Sequence, residues 1–369
     1  MNIMYPDYTN SILNVSHSIL DFYHAGARYP VIPELKEKLS DDIKHVCLVL
    51  LDGMGMNIIE KHLEKDTFIR KNIAKKITSI FPPTTVAATN AVLTTNLPYQ
   101  SGYLGWVQYF KKEDVNLTVF LNEDFYDDSK HFQNDFKEMY LKQDLIYDYI
   151  KKSRPEVKTY ELFPSFRPNG YKTFHLQMKR LLEITRKKEE NFSYVYWTQP
   201  DMLEHEVGID DLLVKKKLQD LNQELEDFSK MLNDDTILIV IADHGLVNVE
   251  AIDLHKNDQL MNYLLRKPSM EPRATNFFVK PFKKQQFEKL FNDMYSQYYK
   301  LMSKNEFLSS GLIGQGKKHP LLDTFLGDYI AIATSNKFFK FKDGVTFKGH
   351  HAGLCQGEME VPLIIYKNK

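Results

Sequence analysis

The chain has 369 residues, 43% of them hydrophobic, with 48 basic against 49 acidic side chains and a formal net charge of −1. That length and apolar content suit one large or two ordinary globular domains, and the balanced charge gives no whole-molecule field to draw the protein to duplex nucleic acid or an acidic membrane. Two cysteines, Cys47 and Cys355, imply no disulfide framework and fit a reducing compartment.

The first ten residues lack the basic start, apolar stretch and small-residue cleavage site of a signal peptide, so a cytoplasmic setting is expected. No apolar run approaches the roughly 20 residues that span a bilayer, and no membrane association is expected. Aromatic residues are abundant, with 24 Phe and 21 Tyr, and serve first as core packing. Oligomeric state is not legible in the sequence.

Residues 1–40 form a helical lead-in, with Ile12, Leu13, Val15, Ile19 and Leu20 spaced along one face. His45-Val-Cys-Leu-Val-Leu-Leu then reads as a strand buried on both faces. It stops at Asp52-Gly53-Met-Gly55, where glycines permit a tight turn into a helix near Asn57–Glu64.

Next, Pro82-Pro83-Thr84-Thr85 precedes a run of small residues that suits a tightly packed helix ending before Pro98. Thr84 and Thr85 therefore sit at a helix N-terminus. A threonine there is either a cap, accepting a backbone N–H, or a nucleophile whose alkoxide and anionic phosphate are favoured by the helix dipole.

Ser101-Gly-Tyr103-Leu-Gly-Trp106 is a loop, and residues 107–140 show no clear period, which marks an insertion over one end of the sheet. Regular alternation resumes with a helix through Leu145–Ile150, a strand at Val157–Phe163 and a helix at Leu176–Arg186, the grammar of βα units.

Asn191-Phe-Ser-Tyr-Val-Tyr-Trp leads into Pro200-Asp201-Met-Leu-Glu-His205. One helical turn after Pro200 places Asp201 and His205, four apart, on one face as a chelating pair. Glu204 and Glu206 are expected to be solvated charges. After an amphipathic helix over Leu212–Leu232, Thr236-Ile-Leu-Ile-Val-Ile-Ala runs into Asp243-His244-Gly245.

Residues 255–330 are expected to form a small cap subdomain, with a strand at Ala274–Lys280, a helix over Phe282–Met302 and a further strand from Asp328. Lys317-Lys-His319 within it is either a solvated loop or a phosphate contact. Finally His350-His351-Ala-Gly353 precedes a terminal strand at Val361–Tyr366, and either histidine can serve as a ligand.

Asp52, Asp201, His205, Asp243, His244 and one of the two late histidines thus gather at strand ends, where open α/β sheets bind ligands. Mixed imidazole and carboxylate donors suit zinc, with manganese possible, and the donors are too many for one tetrahedral ion. Two ions suit displacement at phosphorus.

This ordered set, from Leu50-Leu-Asp52-Gly53 to His351-Ala-Gly353-Leu and Val361-Pro-Leu-Ile, resembles the alkaline phosphatase superfamily and, within it, the type I phosphodiesterase/nucleotide pyrophosphatase branch. The resemblance implies a single α/β domain over residues 1–369, with a central mostly parallel sheet flanked by helices and insertions at 107–140 and 255–330. It implies Thr85 rather than Thr84 as nucleophile, and Asp52, Thr85, Asp243 and His244 around one metal ion. It implies Asp201, His205 and His351, rather than His350, around the other.

One departure stands out. The branch usually carries an Asn in its His-Gly-Ile-x-Gly-Asn loop, and this chain has Trp106 there. Asn90, Tyr103 or Trp106 are the candidates to contact substrate in its place. The expected activity is a two-metal phosphodiesterase or nucleotide pyrophosphatase working on a small phosphate ester through a phosphothreonine. Phosphomonoesterase or metal-dependent phosphomutase chemistry is the alternative within the superfamily, and a non-catalytic metal-binding protein is the alternative outside it.

Overall fold

The computed structural model describes residues 2–344 and 346–368. Its central sheet has six strands in the order Ile73–Thr78, Glu360–Lys367, Thr236–Ile241, His45–Leu51, Asn191–Trp197 and Lys158–Leu162. The His45 strand lies parallel to the Thr236 and Asn191 strands, and the Asn191 strand is parallel to the Lys158 strand. The last strand, Glu360–Lys367, is antiparallel to both of its neighbours. Five strands therefore run one way and one runs against them, so the sheet is mixed but mostly parallel.

The register brings the reactive ends level. Leu51 pairs with Trp197 and Leu50 with Ile241, so Asp52, the Gln199–Asp201 turn and Asp243 all emerge at one edge. All seven residues of the His45 strand and all six of the Thr236 strand are buried, which is why their sequences show no polar alternation. Helices Ile12–Phe22, Phe174–Thr185 and Leu212–Ser229 pack apolar faces, including Leu13, Leu181 and Leu218, into the same core.

The stretches 107–140 and 255–330 contribute strands to one second sheet. Its seven strands run Tyr299–Ser303, Tyr329–Ala333, Ala274–Phe277, Ser269–Glu271, Val107–Phe110, Val115–Thr118 and Glu123–Asp124, every neighbouring pair antiparallel. The two stretches meet where Met270 pairs with Val107. The helix expected over 282–302 is shorter, Lys284–Tyr295, and Tyr299–Ser303 is a strand instead. The edge of the Tyr329 strand supplies that segment with backbone partners from Tyr299 to Ser303, which outweighs its local helical preference. Among the described residues no helix is long and apolar enough to cross a membrane.

A buried ion pair fastens the second sheet to the last motif. Arg273 donates from Nε and Nη2 to the two carboxylate oxygens of Glu358, each at 2.7 Å, with both side chains 0% exposed. The same carboxylate accepts the N–H groups of Gly353 and Cys355, so it also shapes the turn after His351. Arg273→Met leaves Glu358 buried without its cation, and we expect a loss of about 3–5 kcal/mol in urea unfolding. An unchanged midpoint would show that the pair does not hold the fold together.

Candidate active site

Asp52 follows the His45 strand directly, and the turn after it depends on Gly53, at φ +77°. A Cβ on Gly53 would stand 2.8 Å from both Cα and Cβ of Asp201, so only glycine lets the two aspartate-bearing loops approach this closely. Their backbones are bonded, the Asp201 N–H donating to the Asp52 carbonyl at 3.0 Å. Asp201 opens the short helix Asp201–Val207, which carries His205 one turn on, with His205 Nε2 at 3.4 Å from Asp201 Oδ1.

Asp243 and His244 leave the Thr236 strand beside them. Asp243 Oδ1 accepts the N–H groups of Gly53 at 3.2 Å and His244 at 3.0 Å, which turns Oδ2 toward the cluster. His244 Nε2 lies 3.4 Å from Asp52 Oδ1 and 3.5 Å from Asp243 Oδ2. His351 stacks on His244 with ring centroids 3.8 Å apart, and its Nε2 is 3.8 Å from Asp201 Oδ1.

Thr85 is the first residue of the helix Thr85–Thr94. Its Oγ1 stands 3.2 Å from His244 Nε2 and 3.5 Å from each carboxylate oxygen of Asp52. Thr84, the residue before it, forms no side-chain cap; its hydroxyl donates to Glu271 Oε1 at 2.6 Å.

The donors fit divalent cations. Asp52, Asp243 and His244 each offer a ligand atom within 4.8 Å of the others, and so do Asp201, His244 and His351. Burial pushes the Asp52, Asp201 and Asp243 carboxyls above their ordinary range, with the neighbouring aspartates adding to the effect on Asp52 and Asp243. Asp201 Oδ1 and Asp243 Oδ2 are buried with no hydrogen-bond partner among the described residues. Acidic oxygens so placed are costly unless a cation compensates them. Burial likewise lowers His244 and, with neighbouring imidazoles, His351, so both are neutral donors. The outer nitrogens face backbone carbonyls: His205 Nδ1 is 2.8 Å from Gly349 O and His351 Nδ1 is 3.1 Å from Pro83 O. Donating Nδ1–H there presents Nε2 as the ligand atom.

The structure thus brings Asp52, Thr85, Asp201, His205, Asp243, His244 and His351 to one edge of the central sheet. The resemblance divides these residues between two ions, with His244 in the Asp52 group; in the geometry His244 belongs to both three-residue groups. His205 joins the cluster through Asp201 and through its ring, whose centroid lies 5.2 Å from that of His351. His350 falls in neither group among the described residues; its Nδ1 accepts the His351 N–H at 2.8 Å, and its ring packs by Phe347 and Phe338 and edge-on to His205.

The three substrate-contact candidates are scattered. Asn90 donates its amide to Val86 O at 2.8 Å, one turn back on its own helix. Tyr103 is buried, and its hydroxyl feels Asp135 and Glu138 rather than the aspartate cluster. Trp106 packs edge-to-face on Phe120, and its backbone N–H donates to Glu271 Oε1 at 2.6 Å. The basic loop at 317–319 is tied into the second sheet's side, with His319 stacked on Phe325 and Lys318 paired with Asp323.

Sequence reasoning missed four contributors. Glu204 is not a solvated charge: it is 0% exposed, both carboxylate oxygens lack a hydrogen-bond partner among the described residues, and burial with the Asp201 charge raises its pKa well above the usual range. Its i+3 spacing from Asp201 puts it on the same helical face, and that was the readable signal. Glu206 is exposed as expected. The Tyr196 hydroxyl donates to Asp52 Oδ2, the Ser79 hydroxyl donates to the Asp243 carbonyl, and Glu271 joins from the second sheet. No local pattern reports those three, since each partner lies more than 140 residues away in the chain.

The profile of the family described as type I phosphodiesterase/nucleotide pyrophosphatase matches residues 46–306, more than two thirds of the chain. The chain belongs to that family. Phosphoric ester hydrolysis is the activity class this membership supports. The fold is that of solved ectonucleotide pyrophosphatase/phosphodiesterase 5 structures. Murine protein in an inactive form complexed with AMP aligns with TM-score 0.65 and 17% identity over 86% of this chain and 87% of that one. The human protein aligns with TM-score 0.66 and 15% identity over 87% of each chain.

Proposed function

We propose that this protein is a two-metal phosphodiesterase or nucleotide pyrophosphatase that works through a phosphothreonine on Thr85. The observation that carries the reading is Thr85 Oγ1, placed at the start of a helix and 3.2–3.5 Å from His244 and Asp52, one of the two candidate cation groups.

Asp52, Asp243 and His244 would hold one divalent ion, and Asp201, His205 and His351 the other, with His244 near both. Bound there, two zinc or manganese ions would supply positive charge to the phosphoryl oxygens and the leaving oxygen. The chain's own groups do the positioning. Backbone N–H bonds to Asp243 and the carbonyl partners of His205 and His351 fix the donors before any ester arrives. Thr85 Oγ1 attacks phosphorus, the bond to the leaving alcohol breaks, and the threonine proton is lost to the departing oxygen or to solvent. Water then cleaves the Thr85 ester and restores the hydroxyl. The dipole of the helix Thr85–Thr94 favours the anion at its leading end.

A nucleotide diester is the first substrate class to try, because a solved structure of this fold holds AMP. A cytoplasmic setting, with both cysteines reduced, is part of the same proposal.

The test compares a bis-aryl phosphate with an aryl monophosphate, then nucleotide, sugar-nucleotide and phospholipid diesters, in chelator-treated protein with and without added zinc or manganese. Turnover should appear only with the ion and favour diesters. Because burial keeps the three aspartates protonated to higher pH than usual, cation binding displaces protons and its affinity should rise with pH. Bound ion with no ester hydrolysed would sink the reading.

A further inference from the structure

Three segments far apart in the chain converge on one oxygen. Glu271 Oε1 accepts the Thr84 hydroxyl and the Trp106 N–H, both at 2.6 Å, and Glu271 is only 2% exposed. Gly105 makes room for it, since a Cβ there would lie 3.1 Å from Glu271 Cγ and 3.2 Å from Oε1. Glu271 itself ends the strand Ser269–Glu271 of the second sheet.

What this does is visible at Thr84. That residue holds the N-cap position of the helix Thr85–Thr94 with extended backbone, φ −143° and ψ 147°, the conformation from which threonine normally accepts the N–H two or three residues on. The groups concerned are the N–H of Val86 and of Ala87. Instead the Thr84 hydroxyl is drawn away as a donor to Glu271, and no side-chain cap forms. The hydroxyl keeps lone pairs that could accept an N–H, so it is its orientation toward Glu271, fixed by the 2.6 Å bond, that holds it off the helix end.

We propose that Glu271 is a positioning residue of the active site: it holds Thr84 off the helix end, leaving the Val86 and Ala87 N–H groups to an oxygen of the phosphoryl group attached at Thr85. The proposal deepens the phosphothreonine reading and rests on it for its catalytic consequence. It also gives the second sheet a part in the site, since Glu271 is that sheet's contribution beside the nucleophile. Helix N-terminal N–H groups are ready phosphate donors, provided no side chain already occupies them.

Three variants separate this role from general support of the fold. Glu271→Gln keeps an acceptor oxygen for Thr84 and Trp106 and should retain kcat within a few-fold. Glu271→Leu frees Thr84 to cap, and kcat should fall about a hundredfold, the scale of losing one preorganised donor. Glu271→Leu combined with Thr84→Val has no hydroxyl to form the cap, and should recover about tenfold of that loss. A merely structural role would not give this rescue. The Val86 amide, followed by hydrogen exchange in protein labelled with nitrogen-15 valine, should slow in Glu271→Leu and return to the wild-type rate in the double variant. The exchange needs no turnover. If wild-type protein hydrolyses no ester, the phosphodiesterase reading fails while Val86 exchange still decides what Glu271 does. Glu271→Gln as impaired as Glu271→Leu, or a double variant no better than Glu271→Leu in both readouts, overturns the proposal.

Discussion

Thr85→Ala is expected to lower turnover of a bis-aryl phosphate by at least about a thousandfold while leaving cation affinity close to wild type, on the scale seen when a covalent nucleophile is deleted. The reasoning is geometric. Thr85 Oγ1 stands 3.2 Å from His244 Nε2 and 3.5 Å from both oxygens of Asp52, while the Thr84 hydroxyl is bound to Glu271. Alanine is a good helix former and the position is only half-buried, so the fold should persist. Thr85→Ser, which keeps the oxygen, should restore part of the rate. Acid quenching during turnover should yield a phosphorylated peptide containing Thr85 in wild type and none in the alanine variant. A fully active Thr85→Ala protein would remove the threonine from the mechanism.

Gly53→Ala is expected to damage the site through the backbone, without touching a single ligand atom. The new Cβ meets Asp201 Cα and Cβ at 2.8 Å and Leu246 Cδ1 at 2.9 Å, and a φ of +77° disfavours any residue with a side chain by about 1–2 kcal/mol. The backbone of Asp201 cannot swing away as a flexible side-chain tip can, so the loop bearing Asp201 and His205 must move relative to Asp52. A shift of about 1 Å in a catalytic constellation costs about a hundredfold in rate. Calorimetric titration with zinc or manganese should show weakened binding alongside that loss. Unaltered affinity and turnover would mean that the two loops tolerate separation, and that the close approach is not what aligns the site.

The helical and strand grammar was readable where burial is extreme. His45–Leu51 and Thr236–Ile241 are apolar throughout because both faces are covered, and the polar residue ending each run marks the edge where the sheet opens. Ile73–Thr78 was not legible as a strand: Lys75 and Lys76 interrupt it, its first four residues are only partly covered, and it lies at the sheet's edge. The segment after Tyr295 was misread as helix because its partner strand, Tyr329–Ala333, comes later in the chain. Glu204 shows a different failure, since its spacing from Asp201 was visible and its full burial was not.

The sequence by itself determined which residues can serve as donors, because an aspartate or histidine at the end of a buried strand has a local signature: an apolar run, an abrupt polar stop, and a glycine or proline turn. It likewise determined that a threonine begins a helix after two prolines, and that the whole ordered set resembles one family. Only the tertiary structure decided how the donors meet. It placed His244 within reach of both groups, put His351 rather than His350 among the ligand groups, and brought Tyr196, Ser79 and Glu271 to the site. It also made Gly53 the point of closest approach between the Asp52 and Asp201 loops. The physical reason is range. Periodicity and turn chemistry act over a few residues, whereas the contacts of Tyr196, Ser79 and Glu271 join segments more than 140 residues apart and exist only once the strands have found their register.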